Sequence, residues 1–493
     1  MPSNVVYFHD WRYVDTGSFA WLGPDGQREP MWTLERVPPM HLEYRDMPLG
    51  VRLAAQRAHK SEPVLTPERA NDLFLFAGTL MHDEGMYRLW YDCWPGEHIG
   101  TDHMGLYNYV RYAESDDGIE WRLPNLGLIE REGTRENNIV YGGPLTAKTG
   151  YHGGCVFRDP VAPPQERYKA FYLGVISKEE REDFRRKRPD AVDPFSDGSA
   201  LYGAVSPDGL HWTPLAEPLV LQTSDTRNVC TYDTVTGKYV AYCRSWFFQR
   251  RTIGRMETED FRRFPLPEEL FWPNAMMAPY ELWYANAKTI MPGTADYHVM
   301  FPMRWSLPED KFDFHLATSP DGIVWGFVPS GPVCERGEPG AWDAGVVASG
   351  LGLVKLPGQR IGILYAGSPV PHKHPRRPPL GALAWAWWPK DRLVALEAEI
   401  EGSFSLWPLK FRGRTVHLNF RASVPGTVRV EARGADDSVL PGRSFDECDV
   451  LNGDHLDVTV TWRGRSDLGH AEGAPVRLCF RMRSAQLFAV YFR

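Results

Sequence analysis

Three short stretches repeat along this chain: YAESDDGIEW (112–121), YGAVSPDGLHW (202–212) and LATSPDGIVW (316–325). Each contains a Ser, an Asp-Gly pair and a Trp six residues after the Ser. Asp-Gly supplies the positive-φ turn that joins two antiparallel strands, and the Trp can pack back across the hairpin. The chain is therefore predicted to repeat one hairpin with a stapled turn. The interval from Trp212 to Trp325 leaves room for two units of roughly fifty residues, the usual length of a four-stranded propeller blade.

A second pattern, an apolar strand, an Asp-containing turn and a Tyr-led strand, precedes these hairpins. It occurs in segments 77–91, 153–172 and 228–242 and, more weakly, in 286–301 and 344–365. Five first hairpins predict five four-stranded blades across residues 70–397, with residues 1–69 packing on the ring or closing it. Residues 398–493 instead show alternating strands separated by Gly, Pro and Asp turns, which is typical of an antiparallel sandwich. The sequence thus predicts an all-β protein, a five-bladed β-propeller with a C-terminal antiparallel β-sandwich.

Composition restricts the classes of partner. The net charge of -8 over 493 residues provides no basic field, so no nucleic acid partner is expected. The N-terminal sequence lacks a secretory pattern and no long apolar run follows, so a cytoplasmic location without a membrane partner is predicted. Seven scattered cysteines predict buried reduced thiols rather than disulfides or a cysteine metal site. The oligomeric state stays open.

Two inserts interrupt the repeats. Segment 178–190 is a run of charges, KEEREDFRRKRPD, and segment 368–379 reads SPVPHKHPRRPP. Runs of charge are usually solvated, so both inserts are predicted to be surface loops.

The S-x-D-G-x-x-W hairpins, the FRDP of residues 157–160 and the order of propeller and sandwich resemble glycoside hydrolase families 32, 43 and 68, and especially bacterial proteins described as family-32-like. At the level of architecture the resemblance covers nearly the whole chain. It implies three carboxylates at the propeller's centre: a nucleophile or base, a transition-state stabiliser in an R-D-P motif, and a Glu acid. The W-x-N-D-P opening of these families is absent. Cys334 and Glu335 reverse the Glu-Cys order of family 32, so the acid is not transferred to Glu335.

Asp159 has two interpretations. The R-D-P resemblance makes it the stabilising carboxylate. Aligning the repeats instead puts it level with Asp83 and Asp233, at the turn on the far side of the propeller, which favours a turn residue. Both interpretations stay open at this point.

In a propeller, the starts of the innermost strands face the ligand. The starts predicted here carry, from the first blade to the fifth, Asn71 and Asp72, then His152, then Asp225, Arg227 and Asn228, then Glu281, Tyr284 and Asn286, and finally Trp342 and Asp343. Converging carboxylates repel, which raises some pKa values and separates an acid from a base or nucleophile in glycoside cleavage. The candidate catalytic residues are therefore Asp72, Asp225, Glu281 and Asp343, with Asp159 added by the resemblance. Each could alternatively cap a turn or bind a structural cation at the axis.

The loops that join second to third strands should face the same way. They contribute Arg244, Trp246, Arg304 and Trp305, which can stack on sugar rings or bind hydroxyls and carboxylates. The candidate substrate-binding residues are His152, Arg227, Asn228, Tyr284, Arg244, Arg304 and Trp342. The arginines could equally pair with axial carboxylates. His98, Asp102 and His103 form only a weak metal pattern, so no metal or other cofactor is predicted, a structural cation at the axis excepted.

Three functions fit these observations. The first is a glycoside hydrolase or transglycosylase acting on a small glycoside or oligosaccharide with paired carboxylates. The second is a non-hydrolytic enzyme of small-molecule biosynthesis on the same scaffold, such as a lyase, isomerase or cyclase, because a fold alone does not define chemistry. The third is a carbohydrate-binding propeller without catalysis.

Overall fold

The computed structural model describes residues 4–17, 20–22, 24, 28–30, 47–67, 72–73, 78–96, 106–143, 149–196, 198–272, 277–373, 381–471 and 473–493. The chain divides into two compact units. Unit 1 comprises Met1–Gln56, Val328–Ser330 and Pro389–Arg493, and unit 2 comprises Arg57–Phe327 and Gly331–Trp388. Both units are built almost entirely of antiparallel strands in small sheets. Within the described ranges, no helix has the length and apolar character needed to cross a membrane.

The first three sheets of unit 2 follow one another along the chain. Sheet 1 has the order Ile139–Gly142, Tyr109–Ser115, Met86–Pro95 and Asp72–Leu73, with Thr79–Asp83 also paired to Met86–Pro95. Sheet 2 has the order His152–Arg158, Tyr168–Val175, Ser199–Ser206 and Thr213–Pro214. Sheet 3 has the order Val229–Asp233, Lys238–Phe247, Arg250–Thr258 and Glu268–Glu269.

The next repeat is split into two sheets. Sheet 4a contains Glu281–Ala285, Met303–Ser306 and Lys311–Phe314, and sheet 4b contains Lys288–Ile290, His298–Met300, Ala317–Ser319 and Gly326–Phe327. Pro302 lies at the break in the second strand, where its missing N–H interrupts the ladder. The first strand is interrupted at Asn286 and Ala287, just after a register shift between Trp283 and Ala285.

Sheet 5 combines distant parts of the chain. Its order is Val346–Ser349, Arg360–Ser368, Ala382–Pro389 and His59–Lys60, with Val354–Leu356 also paired to Arg360–Ser368. The fourth strand therefore comes from the N-terminal part of the chain.

The turns that contain Ser115, Ser206 and Ser319 have the same geometry. In each, the Ser hydroxyl accepts a hydrogen bond of 2.8–2.9 Å from the N–H of the Gly three residues on. The Asp carboxylate accepts from the N–H groups of the two residues after that Gly at 2.8–3.0 Å. The glycines have φ values of 73–80°. The predicted repeat is present as one local structure in three hairpins.

Residues at the first strands connect neighbouring sheets in sequence. The bonds are Val156 N to Thr79 Oγ1 (3.0 Å), Asn228 N to Gly153 O (2.8 Å), Asn286 Nδ2 to Arg227 O (3.0 Å), Ser349 Oγ to Phe301 O (3.0 Å) and Leu351 N to Gly78 O (3.0 Å). These contacts run from sheet 1 through sheets 2, 3, 4a with 4b, and 5. They then return to sheet 1.

The charged insert is a helix rather than the predicted surface loop. It spans Lys178–Lys187 and ends near a 3-10 turn at Pro189–Ala191; a second such turn is Pro164–Glu166. Ser177 caps the helix and exchanges hydrogen bonds with Glu180 in a capping box. Acidic residues in the first turn and basic residues in the last complement the helix dipole. The loop prediction was wrong because this order of charges stabilises a helix.

Unit 1 is built around one antiparallel sheet. The strand order is Gly453–Thr459, Val416–Arg433, Arg477–Phe492, Val394–Ser405 and Arg52–Ala55, with Val5–Tyr7 also paired to Arg477–Phe492. A separate hairpin joins Ala20–Leu22 to Arg28–Pro30. The two longest strands contain register shifts, and their apolar side chains form the core of the unit. All seven cysteines of the chain are buried thiols, as predicted.

Candidate functional site

Asp225 is a carboxylate on which side chains of neighbouring sheets converge. It lies just before the first strand of sheet 3. Its Oδ1 lies 2.6 Å from Nε2 of His152, and its Oδ2 accepts a 2.7 Å hydrogen bond from Arg244. The Thr226 hydroxyl also donates to Oδ1 at 2.9 Å. The Asp225 side chain nevertheless keeps 39% of its surface exposed, so a ligand can reach the carboxylate.

The surroundings of Asp225 favour its charged form. Burial by the surrounding protein opposes ionisation, but the charge of Arg244 and the hydrogen bond with His152 outweigh it. Together they hold the pKa of Asp225 well below its ordinary value. Asp225 is therefore an ionised carboxylate at any ordinary working pH.

Arg244 connects this carboxylate to sheet 4a. It is almost fully buried, and its Nη2 donates to the carbonyl oxygens of Thr226 and Tyr284 at 3.1 and 3.2 Å. Its guanidinium carbon lies 4.6 Å from the centre of the Tyr284 ring. Because these contacts fix the Arg244 guanidinium, its hydrogen bond also fixes the position of the Asp225 carboxylate. We call His152, Asp225, Arg244 and Tyr284 the Asp225 cluster.

His152 is oriented from its other side. The Asn108 amide nitrogen lies 3.2 Å from Nδ1 of His152, and the Trp94 ring packs 5.1 Å from the imidazole. Nδ1 of the imidazole thus faces the Asn108 amide, and Nε2 faces the Asp225 carboxylate. Sheet 1 therefore holds the imidazole that sheet 2 contributes.

Sequence reasoning missed Asp92. This residue lies in the second strand of sheet 1, is buried, and accepts a 3.1 Å hydrogen bond from the N–H of Gly153. Burial raises the pKa of Asp92 above its ordinary value, although Arg227 and His152 oppose the shift. Burial also lowers the pKa of Arg227 to about 10. The sequence did contain a signal, an Asp inside the apolar run LWYDCW. It was missed because candidate carboxylates were sought at the starts of the innermost strands.

Asp72 is described only as part of its strand. Its register pairs Asp72 with Pro95 and Leu73 with Trp94. The backbone of Asp72 is therefore next to the residue whose ring contacts His152. Asn71, His98, Asp102 and His103 lie outside the described residues.

Glu281 and Arg304 contact each other rather than Asp225. The Glu281 carboxylate accepts a 3.1 Å hydrogen bond from the N–H of Ala278 and lies 3.8 Å from Arg304. Arg304 also lies 3.7 Å from Asp313. Arg244 and Arg304 both follow the alternative raised for the arginines, pairing with carboxylates.

Asp343 belongs to a different cluster. Its side chain is buried, and its Oδ2 accepts hydrogen bonds from Lys60 at 2.7 Å and from the Tyr365 hydroxyl at 3.0 Å. The Trp342 ring stacks on Tyr365 with 5.6 Å between centres. Among the contacts of the described residues, none joins Asp343 or Trp342 to Asp225.

Asp159 occupies the turn after the first strand of sheet 2. Its Oδ1 accepts from the N–H of Val161 at 3.0 Å, and its Oδ2 from the Tyr239 hydroxyl at 2.6 Å and Lys169 at 2.9 Å. The strand His152–Arg158 spans about 20 Å at the usual rise per residue. Asp159 and His152 therefore lie at opposite ends of this strand.

Asn228 braces the backbone beside the cluster. Its amide nitrogen donates to the carbonyl oxygens of Gly153 at 3.2 Å and Ser224 at 3.0 Å. The side chain is fully buried, so it supports the start of the sheet 3 strand.

Two more residues extend the site toward sheets 4a and 5. Arg251, which sequence reasoning did not select, has its guanidinium carbon 5.0 Å from the ring centre of Trp305 and 5.5 Å from that of Trp246. His372 is buried, with Nε2 3.3 Å from the Tyr284 hydroxyl. The prediction that segment 368–379 is a surface loop was therefore wrong at His372, because its imidazole packs among aromatic rings; residues 374–379 of this segment lie outside the described residues.

Across the residues that the structure describes, no group of three or more His, Cys, Asp or Glu is arranged to hold a metal ion.

Comparisons with known proteins return matches among solved structures only. No protein-family model matches the chain, and no curated protein matches its sequence. An N-acetylgalactosamine deacetylase from F. plautii, solved with blood group B trisaccharide, matches with a TM-score of 0.45 and 11% identity over 70% of this chain and 97% of that chain. An exo-inulinase from Aspergillus awamori matches with a TM-score of 0.39 and 12% identity over 88% and 99% of the two chains.

A β-1,2-mannobiose phosphorylase from Listeria innocua has a TM-score of 0.44 and 12% identity, covering 68% of this chain and 96% of that chain. The matched structures include glycoside hydrolases, the class that the sequence resembles. A fold alone does not define the chemistry of the chain that adopts it.

Proposed function

We propose that this chain is a carbohydrate-active enzyme that cleaves a glycosidic bond at the Asp225 cluster. The observation that carries the proposal is the state of Asp225: charged, partly exposed, and fixed by His152 and Arg244. Glycoside cleavage passes through a positively charged, oxocarbenium-like transition state. A fixed carboxylate can stabilise that charge, attack the anomeric carbon or activate a water molecule.

The fold proposed for this function is a five-bladed propeller in unit 2 and a sandwich in unit 1. Sheets 1, 2 and 3, the pair 4a and 4b, and sheet 5 would be the blades. The proposal is supported by the first-strand contacts that return from sheet 5 to sheet 1. It is also supported by the fourth strand of sheet 5, His59–Lys60, which comes from a much earlier part of the chain than the other strands of that sheet. Such a strand is expected where an N-terminal segment closes the ring of a propeller.

The reaction needs a proton donor besides the charged Asp225. We assign this role to Asp72, because it is the carboxylate that the sequence places at the start of the innermost strand of the first blade, and this strand pairs with the one that carries Trp94. Asp92 also has a raised pKa, but its carboxylate is buried and accepts a hydrogen bond from the N–H of Gly153. We therefore assign Asp92 a structural role, in which it fixes the first strand of sheet 2. Carboxylates with pKa values moved apart can divide acid from base or nucleophile. The substrate class proposed is a small glycoside or oligosaccharide.

The proposal is tested by turnover of a panel of aryl glycosides by the native protein and by Asp225→Asn. We expect Asp225→Asn to lower kcat/KM by about 100- to 10,000-fold, the usual contribution of a positioned acid, base or nucleophile. The matched control is Asp116→Asn, which also removes a carboxylate paired with an arginine, Arg122, but at an exposed turn. Circular dichroism and the melting temperature show whether the fold is retained. Unchanged turnover by a folded Asp225→Asn would exclude this site, and binding of sugar without any turnover would favour a carbohydrate-binding protein.

A further inference from the structure

Arg251 shares one face of sheet 3 with Arg244. The two strands pair Trp246 with Arg251 and Arg244 with Ile253. Directly opposite residues of an antiparallel pair project to the same side, and alternate residues of one strand do too. Arg244, Trp246 and Arg251 therefore project together toward Tyr284.

Arg251 lies between aromatic rings. Its guanidinium carbon is 5.0 Å from the ring centre of Trp305, 5.2 Å from that of Tyr284 and 5.5 Å from that of Trp246. Trp246 keeps 41% of its surface exposed, so the space between these three rings is accessible to solvent at Trp246. The aromatic faces attract the cation but do not supply the paired acceptor oxygens of a carboxylate.

Among the described residues, no carboxylate lies within ion-pair distance of Arg251. Arg244 pairs with Asp225, and Arg304 lies near Glu281 and Asp313. Arg251 forms no ion pair with any residue that the structure describes, and its buried Nη1 has no hydrogen-bond partner there. Burial and the nearby charge of Arg244 lower the pKa of Arg251, although Tyr284 and Asp225 oppose this shift. Arg244 and Arg251 are thus two neighbouring cations, of which only Arg244 forms an ion pair with Asp225.

A ligand with a carboxylate would supply the acceptor oxygens that would pair with the Arg251 guanidinium. A guanidinium forms two parallel hydrogen bonds with a carboxylate, and removal from water strengthens them. Aromatic rings such as the exposed Trp246 can pack on the apolar face of a sugar ring. A neutral sugar would leave the charge of Arg251 uncompensated, whereas a sugar carboxylate would compensate it.

We propose that Arg251 binds the carboxylate of an acidic sugar, so that the substrate of the Asp225 cluster is a uronic acid glycoside. This inference rests on the proposed function, because it takes the Asp225 cluster as the site of reaction. Arg251 would select the substrate and orient its ring, while Asp225 acts at the anomeric centre.

Binding can be measured without turnover by titrating glucuronate, galacturonate, glucose and galactose while following tryptophan fluorescence and the heat of binding. Trp246 and Trp305 flank Arg251, so binding there should change part of the tryptophan fluorescence, and the heat of binding measures the same event independently. We expect at least one uronate to bind ten-fold or more tightly than its neutral counterpart, with an affinity that falls as salt is added. Arg251→Gln should remove this preference and Arg251→Lys should retain part of it. Arg262→Gln, an exposed arginine paired with Glu166, is the matched control and should retain all of it.

Equal binding of acidic and neutral sugars by the native protein would overturn the inference, as would failure of both uronates to bind. A folded Arg251→Gln with an unchanged preference would also overturn it. If Arg251→Gln does not fold, the native preference, its salt dependence and the Arg251→Lys result still decide.

The two proposals fail separately. Selective uronate binding through Arg251 with no turnover of any glycoside would keep Arg251 as the residue that binds the sugar carboxylate and overturn the enzymatic function. Turnover of neutral aryl glycosides as fast as aryl uronides, unaffected by Arg251→Gln, would do the reverse. Asp225→Asn should bind uronates at least as tightly as the native protein, because it removes a negative charge near the ligand.

Discussion

Arg244 controls the charge of Asp225, which allows a prediction about pH. In the native protein the pKa of Asp225 is well below its ordinary value, so the carboxylate remains charged as the pH falls toward 4. Arg244→Gln removes the cation, the pKa of Asp225 rises, and Asp225 becomes protonated at a higher pH. We therefore expect the acid limb of the kcat/KM profile to move upward by about one pH unit or more.

The control for this experiment is Arg304→Gln, which removes a cation near Glu281 and Asp313. Its acid limb should coincide with that of the native protein. An unmoved acid limb in a folded Arg244→Gln would show that Asp225 does not carry the ionisation on which the reaction depends.

Asp343 and Asp159 make similar contacts although the sequence suggested different roles. Each is buried and is held by a lysine and a tyrosine hydroxyl. Replacing either by Asn removes the carboxylate that lies closest to the lysine. At Asp159, where Lys169 is also buried, we expect a loss of about 3–5 kcal/mol in the free energy of unfolding. At Asp343 the loss should be smaller, because Lys60 keeps 30% of its side-chain surface exposed.

Urea unfolding and turnover of both variants decide between structural and catalytic roles. The prediction that Asp343 is catalytic requires a folded Asp343→Asn with its melting temperature kept and its turnover lost. The contacts with Lys60 and Tyr365 lead us to expect the opposite, a lower melting temperature with turnover kept in the folded fraction.

At the scale of single elements, the repeated turns provide a prediction with a matched control. Gly209 has a φ of 80°, and a Cβ there would lie 2.7 Å from the Trp90 ring. Gly237 has a φ of 72°, but a Cβ there would meet only the Tyr232 hydroxyl, at 3.8 Å. Both alanine variants carry a backbone cost of about 1–2 kcal/mol. Gly209→Ala should lower the melting temperature further because it also displaces Trp90, and equal losses would contradict this role of the turn.

These turns also show what a sequence can predict. The S-x-D-G pattern is recognisable because every hydrogen bond in the turn forms within six residues, as the bonds of Ser206 and Asp208 do. The turn interpretation of Asp159 came from the same local alignment. Arg251 and His372 could not be found in this way, because their partners lie on other sheets.

At the scale of the whole molecule, the candidate site depends on contacts between distant segments. His152 and Asp225 come together because sheets 2 and 3 lie side by side. Tyr284 reaches Arg244 because sheet 4a lies next to sheet 3. The positions of strand starts suggested Asp225, His152 and Tyr284. They could not separate these residues from Asp343, since both groups occupy equivalent places in the repeat and only the paired side chains differ.

Unit 1 likewise joins distant segments, which makes its boundary testable. The sequence suggests a domain at 398–493, yet the strand Val394–Ser405 begins earlier and pairs with Arg52–Ala55. Val5–Tyr7 pairs with Arg477–Phe492, and the N–H of Phe492 donates to the carbonyl of Asn4 at 3.0 Å. Without these segments, two strands would lose hydrogen-bonded partners and expose apolar edges.

We therefore expect a polypeptide of residues 398–493 to aggregate or to unfold without cooperativity. Residues 389–493 joined by a short Gly/Ser linker to residues 4–56 should instead unfold cooperatively in urea, because the linker spans ends that are adjacent. Leu53→Asp in the joined polypeptide is the control, since Leu53 is buried and pairs with Leu396. It should abolish the transition. A cooperative transition of 398–493 alone, with the same midpoint as the joined polypeptide, would show that the N-terminal strands add nothing to the stability of this unit.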